Sequence, residues 1–98
     1  MKKIALITGA TSGIGQAIAT RLAKEGYALI VTGRRREKLD AVSAELSRTT
    51  DVLPLVFDVR KLDEVQKHLG NLPEDWKNID VLVNNAGLAA GLEPLHEG

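Results

Sequence analysis

Short apolar runs and longer segments of mixed polarity alternate along the 98-residue chain. The apolar runs at residues 3–8, 28–32, 52–57 and 79–83 predict strands, and the first, which is apolar without alternation and ends at Gly9, is typical of a parallel strand buried on both faces. The segments between them repeat apolar residues every three or four positions, which predicts helices at residues 13–25, 35–48 and 61–69. The order βαβαβαβ predicts an α/β protein in which right-handed crossovers place helices on both faces of one parallel sheet.

The same spacing predicts which side of each helix faces the sheet. We expect the inward residues to be Ile14, Ala17, Ile18 and Leu22 in the first helix, Leu39, Val42 and Leu46 in the second, and Leu62, Val65 and Leu69 in the third. Ser12 is placed to cap the first helix, and Gly26 is placed to end it. Pro54 removes a backbone donor from the third strand, so we expect that strand at an edge of the sheet.

Composition narrows the class of protein without identifying a function. The chain has 13 basic and 13 acidic residues, a hydrophobic fraction of 44% and no cysteine. The charge balance argues against a nucleic-acid partner, since the run at residues 34–36 is too short to form a basic face. No apolar run approaches the ~20 residues of a membrane span, and no signal-peptide core is present, so we expect a cytoplasmic protein without a membrane partner. His68 and His96 lack neighbours at metal-ligand spacing, which predicts two surface residues and no metal site.

A glycine-rich segment joins the first strand to the first helix. Gly9, Gly13 and Gly15 follow the run Ile4–Ile7 in a G-x-x-x-G-x-G spacing. Glycines let a ligand approach the backbone, and a helix N-terminus presents N–H groups and a positive dipole end to an anion. Glycines that formed only a tight turn would destabilise the fold with nothing to offset that effect, so we interpret the segment as a phosphate-binding turn. Its predicted contact residues are Gly9, Ala10, Thr11, Ser12, Gly13, Ile14 and Gly15.

Two motifs in the sequence resemble those of the short-chain dehydrogenase/reductase family. Thr8–Gly15 is similar to the family's cofactor motif T-G-x-x-x-G-I-G at every fixed position, and Asn84–Gly87 is similar to its N-N-A-G motif. The resemblance implies a partial Rossmann-type, doubly wound parallel sheet of strand order 3-2-1-4, which binds a dinucleotide at the carboxyl ends of its strands. It also implies that Asn85, Ala86 and Gly87 line the ribose side of the cofactor, while the first Asn helps to hold the sheet.

The residues after the second strand bear on the choice of cofactor. Where an NAD-specific site has a carboxylate for the ribose 2′-OH, this chain has Gly33 followed by Arg34 and Arg35. A guanidinium can bind a 2′-phosphate through two hydrogen bonds. The alternative is a solvated arginine run, but three cations at a helix N-terminus oppose the helix dipole unless an anion binds there. We therefore predict NADP(H) rather than NAD(H), with Arg34 and Arg35 at the 2′-phosphate.

Asp58 and Val59 follow the third strand. A residue at the carboxyl end of a parallel strand lies in the ligand crevice of such a sheet. On the residue types alone, a loop or capping role for Asp58 is as good an interpretation as a binding role. The resemblance favours binding, because the family uses this Asp near the adenine amino group and the next residue beside the ring.

Residues 72–94 resemble the NADP-dependent 3-hydroxy acid dehydrogenase branch of that family, through a Leu-Pro-x-x-Trp lead-in and a Gly-Leu-Ala-x-Gly-x-Glu-Pro tail. This implies a small-molecule substrate such as serine or a related 3-hydroxy acid, or the corresponding 3-oxo acid. The family transfers hydride with a Ser and a Tyr-x-x-x-Lys pair, whose Tyr acts as acid and base. Here Tyr27 is followed four residues later by Val31, so we expect no catalytic residue within these 98.

Three interpretations of this chain stay open. Residues 1–98 are one dinucleotide-binding unit from a longer single-domain reductase, a self-standing NADP-binding module or half of a split enzyme, or an inert folding unit. The first is favoured because residues 88–98 form an irregular tail without periodicity. We also expect a homo-oligomer, and self-association of the isolated chain through the apolar edge of its fourth strand, because unpaired edges invite pairing with another chain.

Overall fold

The computed structural model describes residues 3–11, 13–58 and 61–84, and strands alternate with helices throughout these ranges. The elements are β1 (Ile4–Thr8), α1 (Gly13–Lys24), β2 (Ala28–Gly33), α2 (Arg36–Leu46), β3 (Val52–Val56), α3 (Leu62–Gly70), a short 3-10 helix (Glu74–Trp76) and β4 (Val81–Asn84). The strands form one parallel sheet in the order β3-β2-β1-β4, which confirms the predicted fold class and strand order. No helix in the described ranges is long and apolar enough to cross a membrane.

The sheet register brings the carboxyl ends of the parallel strands together at one end of the sheet. Thr8 of β1 pairs with Asn84 of β4, and Gly33 of β2 pairs with Val56 of β3. The edge position of β3, which was predicted from Pro54, is confirmed, since β3 pairs with β2 alone within the described residues. The turns that leave β1 and β2 therefore start at this end of the sheet, where parallel sheets bind their ligands.

Two apolar layers cover the two faces of the sheet. Alternate residues of β1 and β2, Ala5 and Ile7 with Leu29 and Val31, pack in one cluster with α1 and α2. The remaining residues of these strands pack in a second cluster with side chains that follow α3, and that cluster contains Ile4, Leu6, Ala28, Ile30 and Leu72. Since successive side chains of a strand point to opposite faces, β1 and β2 are buried on both sides, as the unbroken apolar run of β1 predicted for that strand.

The prediction for the inward face of α1 was partly wrong. The buried residues of α1 are Gly15, Ala19 and Ala23, whereas Ile14 is 70% exposed and Ala17 is exposed as well. Small residues let a helix backbone approach the sheet closely, so α1 turns its narrow side inward. The two larger residues of the predicted face, Ile18 and Leu22, are half-buried, and Leu22 packs against the first cluster.

The predictions for α2 were right, and those for α3 were right in part. The inward residues of α2, namely Leu39, Val42 and Leu46, are all buried. In α3, Val65 is buried and Leu69 packs beside it, but Leu62 is 41% exposed. Leu62 is the first residue of the helix and does not belong to the cluster that Val65 forms with Phe57.

The ends of two elements show how local residue chemistry sets their bounds. Gly26 has φ of 93°, and the hydrogen bonds Gly26 N–H to Ala23 and Tyr27 N–H to Leu22 form a Schellman motif that ends α1 as predicted. The fourth strand starts later than its apolar run suggested. Before Val81, the Asp80 N–H still donates to the Ile4 carbonyl at 2.8 Å, while the Asp80 carboxylate, in place of a backbone carbonyl, accepts the Ile4 N–H at 2.8 Å.

Candidate functional site

The glycine segment after β1 is a tight turn that is attached to β2. Gly9 has φ of 65°, a conformation that residues with a side chain rarely adopt. The next residue, Ala10, is fully buried, and its N–H donates to the Thr32 carbonyl at 3.2 Å. The turn is therefore held in place by the second strand, and the path of its backbone depends on glycine at position 9.

The end of β2 is shaped to receive this turn. A Cβ atom at Gly33 would lie 3.2 Å from Thr11 Cγ2 and 3.5 Å from Leu39 Cδ1. A contact of 3.2 Å is tighter than most real Cβ contacts, so the Thr11 methyl group packs where a larger residue at 33 would place its own side chain. Sequence reasoning treated Gly33 as the end of a strand and as the position where an NAD-specific site has a carboxylate. Nothing in the local pattern indicated that it meets a residue 22 positions earlier.

The start of α1 is open to ligand approach. A Cβ built at Gly13 meets no atom within 4 Å, and Gly13 and Ile14 are both exposed. Gly15, in contrast, is buried against the body of the protein. The first turn of α1 has no acidic residue, so no carboxylate of its own neutralises the positive end of the helix dipole. Ser12, the predicted cap, lies outside the described residues.

The two arginines after β2 lie at the start of α2. Arg35 is the N-cap residue of α2, with an extended backbone and no side-chain capping hydrogen bond. Arg34 and Arg35 are exposed, and no ion pair among the described residues engages either of them. The two arginines directly follow Gly33, and Gly33 lies against Thr11 of the glycine turn, so the chain reaches both of them directly after its contact with that turn.

The third turn of the site leaves β3 at Asp58. The N–H of Phe57 donates to the Gly33 carbonyl at 3.1 Å, so the exit of β3 is joined to the end of β2. Asp58 is half-buried, and its N–H donates to Oε1 of Glu64 at 3.2 Å. Sequence reasoning missed Glu64. The available signal was its position as the third residue of α3, where Glu side chains commonly reach back toward the helix start.

The fourth strand enters the site beside β1. The Thr8 hydroxyl donates to the Val83 carbonyl at 3.4 Å, and Thr8 is in register with Asn84. The chain continues from β1 toward β2 on one side, while β4 pairs on the other, so this junction is the switch point at which open α/β sheets bind ligands. Val59 and residues 85–87, whose predicted roles complete the site, lie outside the described residues.

Of the two histidines predicted as surface residues, His68 is packed instead, and His96 lies outside the described residues. His68 is half-buried, and its ring stacks on Phe57 with a centroid separation of 4.5 Å and an interplanar angle of 10°. Its Nδ1 lies 2.9 Å from the Glu64 carbonyl oxygen. Among the residues that the structure describes, no group of three His, Cys, Asp or Glu side chains could hold a metal ion.

Comparison with known proteins agrees with this geometry. The NADP-dependent 3-hydroxy acid dehydrogenase YdfG of Salmonella typhi is 49% identical over 94 residues, which cover 96% of this chain and 37% of that protein. Serine 3-dehydrogenase of Agrobacterium fabrum is 52% identical over 89 residues, or 91% of this chain and 35% of that protein. The solved structure of a metagenomic short-chain oxidoreductase in complex with NADP matches with a TM-score of 0.79 and 34% identity, over 88% of this chain and 39% of that one.

These relatives also define how much of a protein of this kind is present. The chain spans little more than a third of the length of the curated relatives that it matches. The match to the family model, described as short chain dehydrogenase, extends over residues 3–98. With the sheet order, the glycine turn and this match taken together, the chain belongs to the short-chain dehydrogenase family.

Proposed function

We propose that this chain is the NADP(H)-binding part of an oxidoreductase that transfers hydride between NADP and a small hydroxy or oxo substrate. The observation that carries the proposal is the open glycine turn beside two exposed arginines, both at the carboxyl ends of the strands. A dinucleotide with a 2′-phosphate has two anionic groups at its adenosine end, the pyrophosphate and the 2′-phosphate. The carboxyl ends of the strands offer a separate surface for each, one rich in N–H groups and one cationic. The NADP-dependent relatives and the NADP complex support the choice of cofactor.

Each predicted contact has a distinct task in the proposal. The turn from Gly9 to Gly15 binds the pyrophosphate through backbone N–H groups and the start of α1. Arg34 and Arg35 bind the 2′-phosphate, and glycine at position 33 leaves no carboxylate there to repel it. Asp58 and Val59 flank the adenine, while Asn85, Ala86 and Gly87 line the ribose.

The substrate class rests on relatives rather than on this chain's own contacts. The names of two relatives, a 3-hydroxy acid dehydrogenase and a serine 3-dehydrogenase, support a small 3-hydroxy acid. Hydride transfer between a carbinol and a ketone also needs a group that takes up or supplies the hydroxyl proton. The proposal assigns that group to a Tyr-x-x-x-Lys pair outside these 98 residues, since Tyr27 is followed by Val31 at the Lys position.

The cofactor assignment is tested by titrating the intact gene product with NADPH and NADH. We expect tighter binding of NADPH, and we expect Arg34→Asp to shift the ratio of the two dissociation constants toward NADH by about tenfold or more. Arg36→Asp is the matched control, because it makes the same charge change two positions along and should leave the ratio nearly unchanged. Equal loss of both cofactors in Arg34→Asp would contradict the 2′-phosphate role.

The intact mass of the gene product from its own cells tests whether this chain is the cofactor-binding part of a longer enzyme. A mass well above 10.6 kDa supports a cofactor-binding part of a larger reductase, in which catalysis belongs to further residues. A mass equal to this chain would contradict unaided dehydrogenase activity and would support a binding module or one part of a split enzyme.

We also propose that the isolated 98-residue chain self-associates through β4. Val81, Leu82 and Val83 are half-buried, and β4 pairs only with β1 among the described residues. An apolar strand with a free edge is a template for pairing with another chain. Sedimentation velocity over a range of concentrations tests this: we expect a concentration-dependent rise in mass, and a constant monomeric profile would contradict it.

A further inference from the structure

We infer that Glu64 is a positioning residue for the adenine side of the cofactor site, an inference that rests on the proposed function. The proposal places Asp58 near the adenine, and Oε1 of Glu64 accepts the hydrogen bond of the Asp58 N–H at 3.2 Å. Glu64 is half-buried on α3, six residues beyond Asp58. A change at Glu64 therefore acts on the cofactor through the backbone of Asp58.

The Asp58 backbone is held from both sides. The Lys61 N–H donates to the Asp58 carbonyl at 3.0 Å, and the preceding residue, Phe57, donates its N–H to the Gly33 carbonyl at 3.1 Å. Those two contacts join backbone groups, so a side-chain substitution leaves their atoms in place. The contact from Glu64 is made by a side chain, which makes it the one of the three that a single substitution can remove.

The location of Glu64 on α3 explains why a carboxylate serves this purpose. Lys61 is the N-cap residue of α3 and makes no side-chain capping hydrogen bond, while Glu64 is the third residue of the helix. A Glu at this position commonly reaches back to the N-cap backbone, and here it reaches three residues further, to Asp58. A negative charge in the first turn is stabilised by the helix dipole, and an ionised acceptor forms a stronger hydrogen bond than a neutral one.

The next turn of α3 fixes the position from which Glu64 reaches. His68 stacks on Phe57, and its Nδ1 lies 2.9 Å from the Glu64 carbonyl oxygen. Phe57 and Val65 are buried together in a small cluster, so the helix packs on the residue that directly precedes Asp58. The same contacts thus set the Glu64 side chain and the Asp58 backbone relative to each other.

The test combines ligand binding with a direct readout of the Asp58 amide in the intact gene product. We expect Glu64→Ala to raise the dissociation constant for adenosine 2′,5′-bisphosphate by up to about tenfold, because the Asp58 backbone beside the adenine is no longer held by this hydrogen bond. Glu64→Gln keeps an acceptor oxygen, so the constant should stay within about threefold of the original, because the hydrogen bond is kept and only its charge is lost. Binding of inorganic pyrophosphate, which has no adenine, should be equal in all three proteins. Amide hydrogen exchange at Asp58 should be faster in Glu64→Ala alone.

Asp63→Ala is the matched control, because Asp63 is an exposed residue in the same first turn and its loss changes the helix charge equally. Equal weakening by Asp63→Ala and Glu64→Ala would overturn the inference, since the effect would then come from helix charge. A fall in melting temperature of Glu64→Ala without a change in the bisphosphate constant would overturn it as well. If the unmodified protein failed to bind the bisphosphate, the proposed function would be overturned, and the inference with it.

Discussion

The two helices on one face of the sheet, α1 and α2, pack against it in opposite ways. The buried side of α1 consists of Gly15, Ala19 and Ala23, whereas α2 buries large side chains such as Leu39 and Leu46. Small residues bring a helix backbone near the sheet, while large ones fill the space between the two layers. The comparison shows that bulk is a poor guide to the buried side of a helix whose role is to bring its own N-terminus near a strand end.

The N-terminal ends of these helices differ as well: that of α1 offers backbone groups, and that of α2 offers large side chains. The first turn of α1 offers glycines and an open surface at Gly13, and that of α2 follows the exposed side chains of Arg34 and Arg35. Backbone N–H groups need close approach by the anion, and guanidinium groups reach out to it. The proposed function uses this contrast, with the pyrophosphate at α1 and the 2′-phosphate at α2.

The largest effect on stability is expected at the bulky interface of α2. Leu39→Ala should lower the free energy of unfolding by about 2–5 kcal/mol, because Leu39 is fully buried and its truncation leaves a cavity. Urea unfolding followed by circular dichroism measures the change, with the exposed neighbour substitution Lys38→Ala as control. Similar losses for the two variants would contradict the view that α2 is held by its large side chains.

A smaller loss is expected from overfilling the interface of α1. Ala19→Leu should lower the free energy of unfolding by about 1–3 kcal/mol, because Ala19 is fully buried in the first cluster and added carbons would have to displace its neighbours. Ala17→Leu makes the same change on the exposed side of the helix and should shift the same unfolding curve by less than about 0.5 kcal/mol. If both variants behaved alike, the close approach of α1 would be refuted.

The smallest effect is expected at the residue whose predicted burial was wrong. Ile14→Ser should change the free energy of unfolding by no more than about 0.5 kcal/mol, because Ile14 is 70% exposed. Leu22→Ser, on the same helix but packed against the first cluster, should cost clearly more in the same denaturation experiment. A large loss from Ile14→Ser would mean that the sequence-based face was right.

Much of the fold and part of the site follow from local patterns. The first apolar run identified a strand buried on two faces, Pro54 located the edge strand, and Gly26 marked the end of α1, all of which the structure confirms. These features are local: each depends on the conformational limits of one residue or on the burial of one short run. The candidate site could be located for the same reason, since a strand that enters a glycine turn and a helix is contiguous in sequence.

The contacts that support the site could not be found in this way, because they join residues that are distant along the chain. A side chain at position 33 would crowd the Thr11 methyl group, and the Glu64 carboxylate accepts the Asp58 N–H where α3 packs on Phe57. His68 was predicted to lie on the surface because it has no partner at metal-ligand spacing, but its ring stacks on Phe57. Each of these contacts depends on the angle and depth at which two elements meet.

The sequence by itself determined the order of strands and helices, the location of the glycine turn and the cationic character of the residues after β2. Only the tertiary structure decided which side of α1 is buried and which side chains hold the turns of the site in place. The physical reason is that apolar periodicity reports how much hydrophobic surface a helix can bury. How closely that helix approaches its neighbours depends on side-chain size on both surfaces, and that fit exists only once the layers are packed.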